Sequence, residues 1–190
     1  MKIYFNKLNE DAIIPQYAHE DDAGLDFYSF EDTYIGAGET VIVKTGLRCM
    51  FENKYVMIMT GKSGIDSKGI PAEVSRTTFI HDDDTDLSTV WIQERKEVRV
   101  KTGIIESTYR GELGVIMKNE SDETIKIPKG IKIAQGVLVM KPKTKNDNVQ
   151  ALSDEEWDKI VSEEENNERG EGGFGSTGLD WYIIGGVIWV

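Results

Sequence analysis

The chain has a single cysteine, Cys49, among its 190 residues, so no internal disulfide can form. Positive charge is also scarce, with 22 Lys plus Arg against 34 Asp plus Glu and a formal net charge of −12. Such a surface repels polyanions and argues against non-specific binding to nucleic acid or anionic membranes; any phosphate must be met by a local cluster of cations. Long hydrophobic runs are missing as well. The most apolar stretch, "WYIIGGVIWV" at 181–190, falls far below the roughly 20 residues that span a bilayer. The opening "MKIYFNKLNEDAIIPQYAHEDDAG" carries acids early and no signal-like apolar run, so no membrane association and a cytoplasmic location are expected.

Helical periodicity is nearly absent, and short β-branched or aromatic runs take its place: "KIYFNKL", "TVIVKTGLRCMF", "KYVMIMTGKSG", "EVRVKTGIIE", "GELGVIMKN" and "TIKIPKGIKIAQGVLVM". Gly, Asn, Asp and Pro punctuate them, which predicts an all-β sandwich or barrel. Only "SDEEWDKIVSEEENN" (153–167) has a helical pattern, opening with Ser153 and Glu156 as a capping box. One domain is expected over 1–178, followed by an apolar extension at 179–190.

Five segments carry chemistry. "AHEDDAGLDFYS" (18–29) offers Asp26, and "TGKSGIDSKG" (60–69) offers Lys62, Ser63 and Gly64 in what reads as a strand-ending turn. The second is not the phosphate loop of nucleoside-triphosphate hydrolases, because the spacer and the Gly-Lys-Ser/Thr order are missing. "GIIESTYRGELG" (103–114) reads as a hairpin in which Glu106 could hold a water and Tyr109 a sugar ring. "KIPKGIKIAQGVLV" (126–139) sets Gln135 in an apolar strand, where its amide needs partners. "RGEGGFGSTG" (169–178) combines glycines, which let backbone N–H groups approach phosphate, with Arg169, Phe174, Gly175, Ser176 and Thr177. Each has a plainer reading as a turn, a satisfied core amide or a linker.

In this order the five segments resemble the motifs of the homotrimeric deoxyuridine triphosphatase (dUTPase) family. The resemblance implies a jelly-roll barrel with active sites shared between three subunits, and Mg²⁺-dependent hydrolysis of dUTP to dUMP and pyrophosphate. Residues 168–178 would then be a mobile arm closing over a neighbour's site. It implies that Gly103, Ile104, Ile105 and Tyr109 receive the deoxyuridine and that Glu106 orients a water toward the α-phosphorus. It also implies that Ser63 and Gln135 meet phosphate, that Arg169, Ser176 and Thr177 meet the terminal phosphate, that Phe174 covers the uracil, that Lys62, Gly64 and Gly175 belong to the substrate site, and that Asp26 reaches Mg²⁺ through water.

Several positions depart from that pattern. Glu106 stands where Asp is usual, and Lys62 and Lys132 stand where Arg is usual; charge is kept while reach and fork geometry are not. If the backbone is placed as in the family, a Glu106→Asp variant is expected to be at least as fast as the parent. A segment of about 73–97 is expected to be an insertion with an acidic tip. Its Asp82, Asp84 and Asp86 mimic a calcium loop that Leu87 and Gln93 spoil. The insertion keeps open a nucleotide-gated role in binding a protein partner, and the fold also leaves room for dCTP deamination.

Overall fold

The computed structural model describes residues 2–79, 87–142 and 149–163. Contacts divide the chain into two units, Met1–Lys143 and Thr144–Val190. In the first unit, alternating apolar residues make strands with one face buried. In β1 (Ile3–Lys7), β2 (Gly24–Tyr28), β3 (Thr33–Ile35), β4 (Thr40–Lys44) and β5 (Leu47–Phe51) the period of two is plainest in β5, where Leu47, Cys49 and Phe51 are buried and Arg48 and Met50 are exposed. Then follow β6 (Tyr55–Thr60), a short helix α1 (Ser63–Lys68), β7 (Ile70–Phe79), β8 (Leu87–Lys96), β9 (Val98–Val100), β10 (Gly103–Glu106), β11 (Gly114–Asn119), β12 (Ile125–Ile127) and β13 (Lys132–Met140).

The strands form sheets of order β1-β5, β10-β6-β13-β2, β4-β11-β9 and β3-β12-β7-β8, all pairs antiparallel. Their inner faces meet over Phe27, Leu47, Met57, Leu113 and Ile133, each at most 1% exposed. Every such side chain contributes roughly 1.5–3 kcal/mol relative to remaining in water, so the core rather than local propensity holds the barrel. The Cys49 thiol lies in this core, where burial pushes its pKa up to about 11 and keeps it neutral.

The segment expected as an insertion, about 73–97, falls in a long hairpin, β7 against β8, whose tip at residues 80–86, including Asp82, Asp84 and Asp86, lies outside the described residues. At its base Ala72 and Val74 are buried in the common core. A partly exposed ion network ties the hairpin down: Arg76 donates to Glu94 and Glu123, Lys96 reaches the same two carboxylates, and Lys126 bridges Glu73 and Asp32. Hydrogen bonds from Arg76 and then Lys96 lower the Glu123 pKa to about 2.

The second unit contains α2 (Asp154–Glu163), which starts as its sequence predicts. Glu156 N donates to Ser153 Oγ at 3.3 Å and Ser153 N donates to Glu156 Oε2 at 2.9 Å, the reciprocal pairing of a capping box. Among the described residues no helix is long and apolar enough to cross a membrane.

Candidate active site

Strand β10 runs along the free side of β6, with Ile104 opposite Ile58 and Glu106 opposite Val56. Alternation turns Ile105 toward the core and leaves Ile104 and Glu106 facing outward. Together with Met59, Gly103, Tyr109 and Ile116 they line an open cavity of about 350 Å³. Gly103 faces empty space, so the backbone edge of β10 is accessible from the cavity. The hairpin expected over 103–114 is instead a turn between two sheets: Tyr109 N donates to Glu106 O at 2.9 Å, but β10 pairs with β6 while β11 pairs with β4 and β9. The chain leaves one layer and enters another here, and the cavity opens at that change of layer.

Tyr109 is held from beneath. Its hydroxyl donates to Glu112 O at 3.0 Å, and its ring lies so close to Gly111 that a Cβ there would fall 2.3 Å from the phenolic oxygen. The other side of the ring is free, with 47% of the residue exposed. Glu106 is also exposed, and Lys141, just beyond β13, donates to its Oε2 at 3.2 Å. Sequence reasoning missed Gly111 and Lys141. The "YRG" step could have signalled the first; the second depends on a cross-sheet contact that no local pattern displays.

A second cluster lies at the opposite edge of the same sheet. Asp26 on β2 is buried, with 3% of its side chain exposed, and two ammonium groups converge on it. Lys62 Nζ donates to Oδ1 at 2.5 Å, and Lys132 Nζ lies 2.8 Å from Oδ2. Burial pushes the Asp26 carboxyl upward, but the Lys132 and Lys62 ammonium groups outweigh it and hold the pKa below the ordinary aspartate value; Lys62 is hydrogen-bonded, whereas Lys132 is an ion-pair contact that leaves Oδ2 without a hydrogen bond. The Lys132 ammonium is correspondingly raised, chiefly by Asp26. Gln135 sits opposite Asp26 in the β13–β2 ladder.

A β-bulge creates this convergence. Strict alternation would send Lys132 and Gln135, three positions apart, to opposite faces. The register shift between Lys132 and Ala134 instead sets Lys132 opposite Tyr28 and Gln135 opposite Asp26, on one face. Lys62 arrives from the end of β6, and the following residues, expected as a plain turn, form α1, with Ser63 and Gly64 exposed in its first turn. Gly69 ends α1 at φ 73°, where a Cβ would meet the Lys96 carbonyl at 2.7 Å.

Asp26, expected to reach Mg²⁺ through water, has an ammonium group beside each of its oxygens. Among the described residues no three His, Cys, Asp or Glu side chains are grouped to hold a metal ion. Arg169, Phe174, Gly175, Ser176 and Thr177 lie outside the described residues.

An open cavity beside edge strand β10 and two lysines converging on a buried carboxylate of edge strand β2 mark this as an all-β jelly-roll protein with two candidate ligand-contact regions on one sheet. A family model described as dUTPase matches residues 10–86 and 93–178. The chain belongs to the dUTPase family. It is 36% identical over 173 residues to the deoxyuridine 5'-triphosphate nucleotidohydrolase of Clostridioides difficile, covering 91% of this chain and 95% of that one. Its fold is similar to a Staphylococcus bacteriophage 80alpha dUTPase solved with dUpNHpp (TM-score 0.62, 24% identity, 94% and 99% of the two chains). It is also similar to a dUTPase from phage phi11 of S. aureus described with a structural Mg(II) ion (TM-score 0.61, 22% identity, 80% and 99% covered).

Proposed function

We propose that the chain hydrolyses dUTP, as its magnesium complex, to dUMP and pyrophosphate. The observation that carries this reading is the family match across all five motif segments, joined to a cavity that collects Gly103, Ile104, Glu106 and Tyr109. In this reading the exposed edge of β10 supplies backbone hydrogen bonds to uracil, and Ile105 anchors that edge in the core. Tyr109, backed by Gly111, stacks on the deoxyribose and excludes a 2′-hydroxyl. Rejection by clash or by an unpaired polar group discriminates strongly.

Glu106 accepts a hydrogen bond from a water and takes its proton as the water oxygen bonds to the α-phosphorus. The bond from that phosphorus to the bridging oxygen breaks, and pyrophosphate leaves with the electron pair. Lys62, Ser63, Gly64 and Gln135 hold the phosphates in line. Positioning and fixed charge are most of what this reaction asks of a protein. A magnesium ion carried by the triphosphate would neutralise part of its charge.

Glu106 lies on edge strand β10 and Asp26 on edge strand β2 of one four-stranded sheet, three strand spacings or about 14 Å apart across it. That separation supports sites shared between copies in a homotrimer, with Arg169, Phe174, Gly175, Ser176 and Thr177 of the 168–178 arm closing over them. A further role in binding a protein partner through the 73–97 hairpin draws support from Val90, Trp91 and Ile92, all exposed on edge strand β8. We place the protein in the cytoplasm, with no nucleic-acid partner. The test is incubation of the purified full chain with dUTP, dTTP, dCTP and UTP in turn, with Mg²⁺. Conversion of dUTP alone to dUMP supports the reading; deamination of dCTP or no turnover overturns it.

A further inference from the structure

We infer that Asp26 is a positioning residue that fixes Lys62 and Lys132 as a matched pair of point charges for phosphate, and that it is not a ligand for a metal ion. The inference deepens the proposed hydrolysis of dUTP and rests on that reading for its kinetic arm. Three separate backbone devices bring the groups together: β2 presents Asp26, the end of β6 presents Lys62, and the bulge in β13 turns Lys132 onto the same face. Nothing in the core requires this. Asp26 is a buried carboxylate on the solvent side of a sheet whose inner side already carries Leu25 and Phe27. A buried acid is costly unless paired, so its retention here calls for its partners.

The stoichiometry is informative. Each ammonium group has three donors and lies against one carboxylate oxygen, Lys62 hydrogen-bonded to Oδ1 and Lys132 in ion-pair contact with Oδ2, which leaves most of their donors for other acceptors. A guanidinium at either position would take both oxygens in a fork and crowd out the second cation. Two lysines and one aspartate therefore share the site without competition and carry a net charge of +1, in a chain whose overall charge is −12. Lys62 and Lys132 keep 31% and 45% of their side chains exposed, so both remain open to a ligand while Asp26 does not. A divalent cation held near Asp26 through water would also stand close to both ammonium groups, and like-charge repulsion opposes it.

The test uses the full-length protein and its Asp26→Asn variant, which keeps the side chain's shape and removes its charge. The expected result is a kcat lower by about ten- to a hundredfold, because the ammonium groups lose their fixed positions. KM for dUTP should not rise, since no cation has been removed, and the Mg²⁺ concentration for half-maximal rate should stay within about two-fold. In a Lys132→Met background Asp26→Asn should cost markedly less, as expected of a residue acting through that lysine.

Two measurements need no turnover. Mn²⁺ binding read by paramagnetic resonance should be the same for parent and Asp26→Asn. Inorganic pyrophosphate titrated in EDTA should bind at least about five-fold more weakly to Lys62→Met and to Lys132→Met than to the parent. Activity restored by raising Mg²⁺, Mn²⁺ binding lost in Asp26→Asn, a kcat within two-fold of the parent, or pyrophosphate binding indifferent to both lysines would each overturn the inference. A parent that leaves dUTP intact would defeat the proposed function instead, and the Mn²⁺ and pyrophosphate arms would still decide the role of Asp26.

Discussion

Replacing Glu106 by Asp withdraws its carboxylate by one methylene, on the order of 1 Å, and a shift of that size at a reacting centre can cost roughly a hundredfold in rate. From sequence alone the shorter side chain should match or exceed the parent. The structure gives an argument for the opposite outcome, because Lys141 holds the longer side chain by a hydrogen bond of 3.2 Å. With Asp the carboxylate no longer reaches Lys141. Both partners are well exposed, so the ion pair itself is worth about 0–1 kcal/mol, a factor of at most about five. The larger share of the loss must therefore come from misplacement.

Glu106→Asp should fall between about ten- and a hundredfold below the parent in kcat, and Glu106→Gln should be nearly inactive while still binding nucleotide. Lys141→Met should cost a few-fold in the parent and nothing further in Glu106→Asp, since the contact is already gone. Steady-state kcat and KM for the parent, the three single variants and the Lys141→Met/Glu106→Asp double variant contain a complete cycle. A Glu106→Asp enzyme as fast as the parent would refute the account of Lys141. An active Glu106→Gln would remove Glu106 from the chemistry.

Gly111→Ala would set a methyl group against the Tyr109 ring, and the displaced ring should weaken discrimination against UTP relative to dUTP, read as the ratio of kcat/KM values. Glu123 has a folded pKa of about 2, below its ordinary 4.5, so its stabilisation is complete above about pH 4.5 and is lost as pH falls toward 2. Glu123→Gln should accordingly lower the urea midpoint near neutral pH, and the gap from the parent should close near pH 2; a gap independent of pH would contradict the assignment. Truncation after Asn167 should abolish most hydrolysis with the thermal transition unchanged, and retained turnover would mark the Gly-rich segment as a linker.

How much of this could be read from the sequence differs by element. The runs that alternate cleanly, such as "LRCMF", became strands where expected, and the capping box announced α2. Strand β8, "LSTVWIQERK", did not announce itself, because the face it shares with Arg76 changes from Val90 and Ile92 to Glu94 and Lys96, whose ion network breaks the apolar alternation. Helix α1 is too short and too rich in Gly and Ser for helical periodicity to register. The motif residues were legible as chemistry, but their grouping was not. The bulge beside Ile133, which turns Lys132 toward Asp26, is a register event settled by packing between strands. The turn after Glu106 likewise joins different sheets because Ile105 and Val115 are both claimed by the core, a competition that local turn chemistry does not express.

The central claim, that water bonds to the α-phosphorus of dUTP, is tested most directly by turnover in ¹⁸O-labelled water with the label located by mass spectrometry. The account expects one labelled oxygen in dUMP and none in pyrophosphate. Label in pyrophosphate, release of dUDP, or recovery of dUTP intact would contradict it.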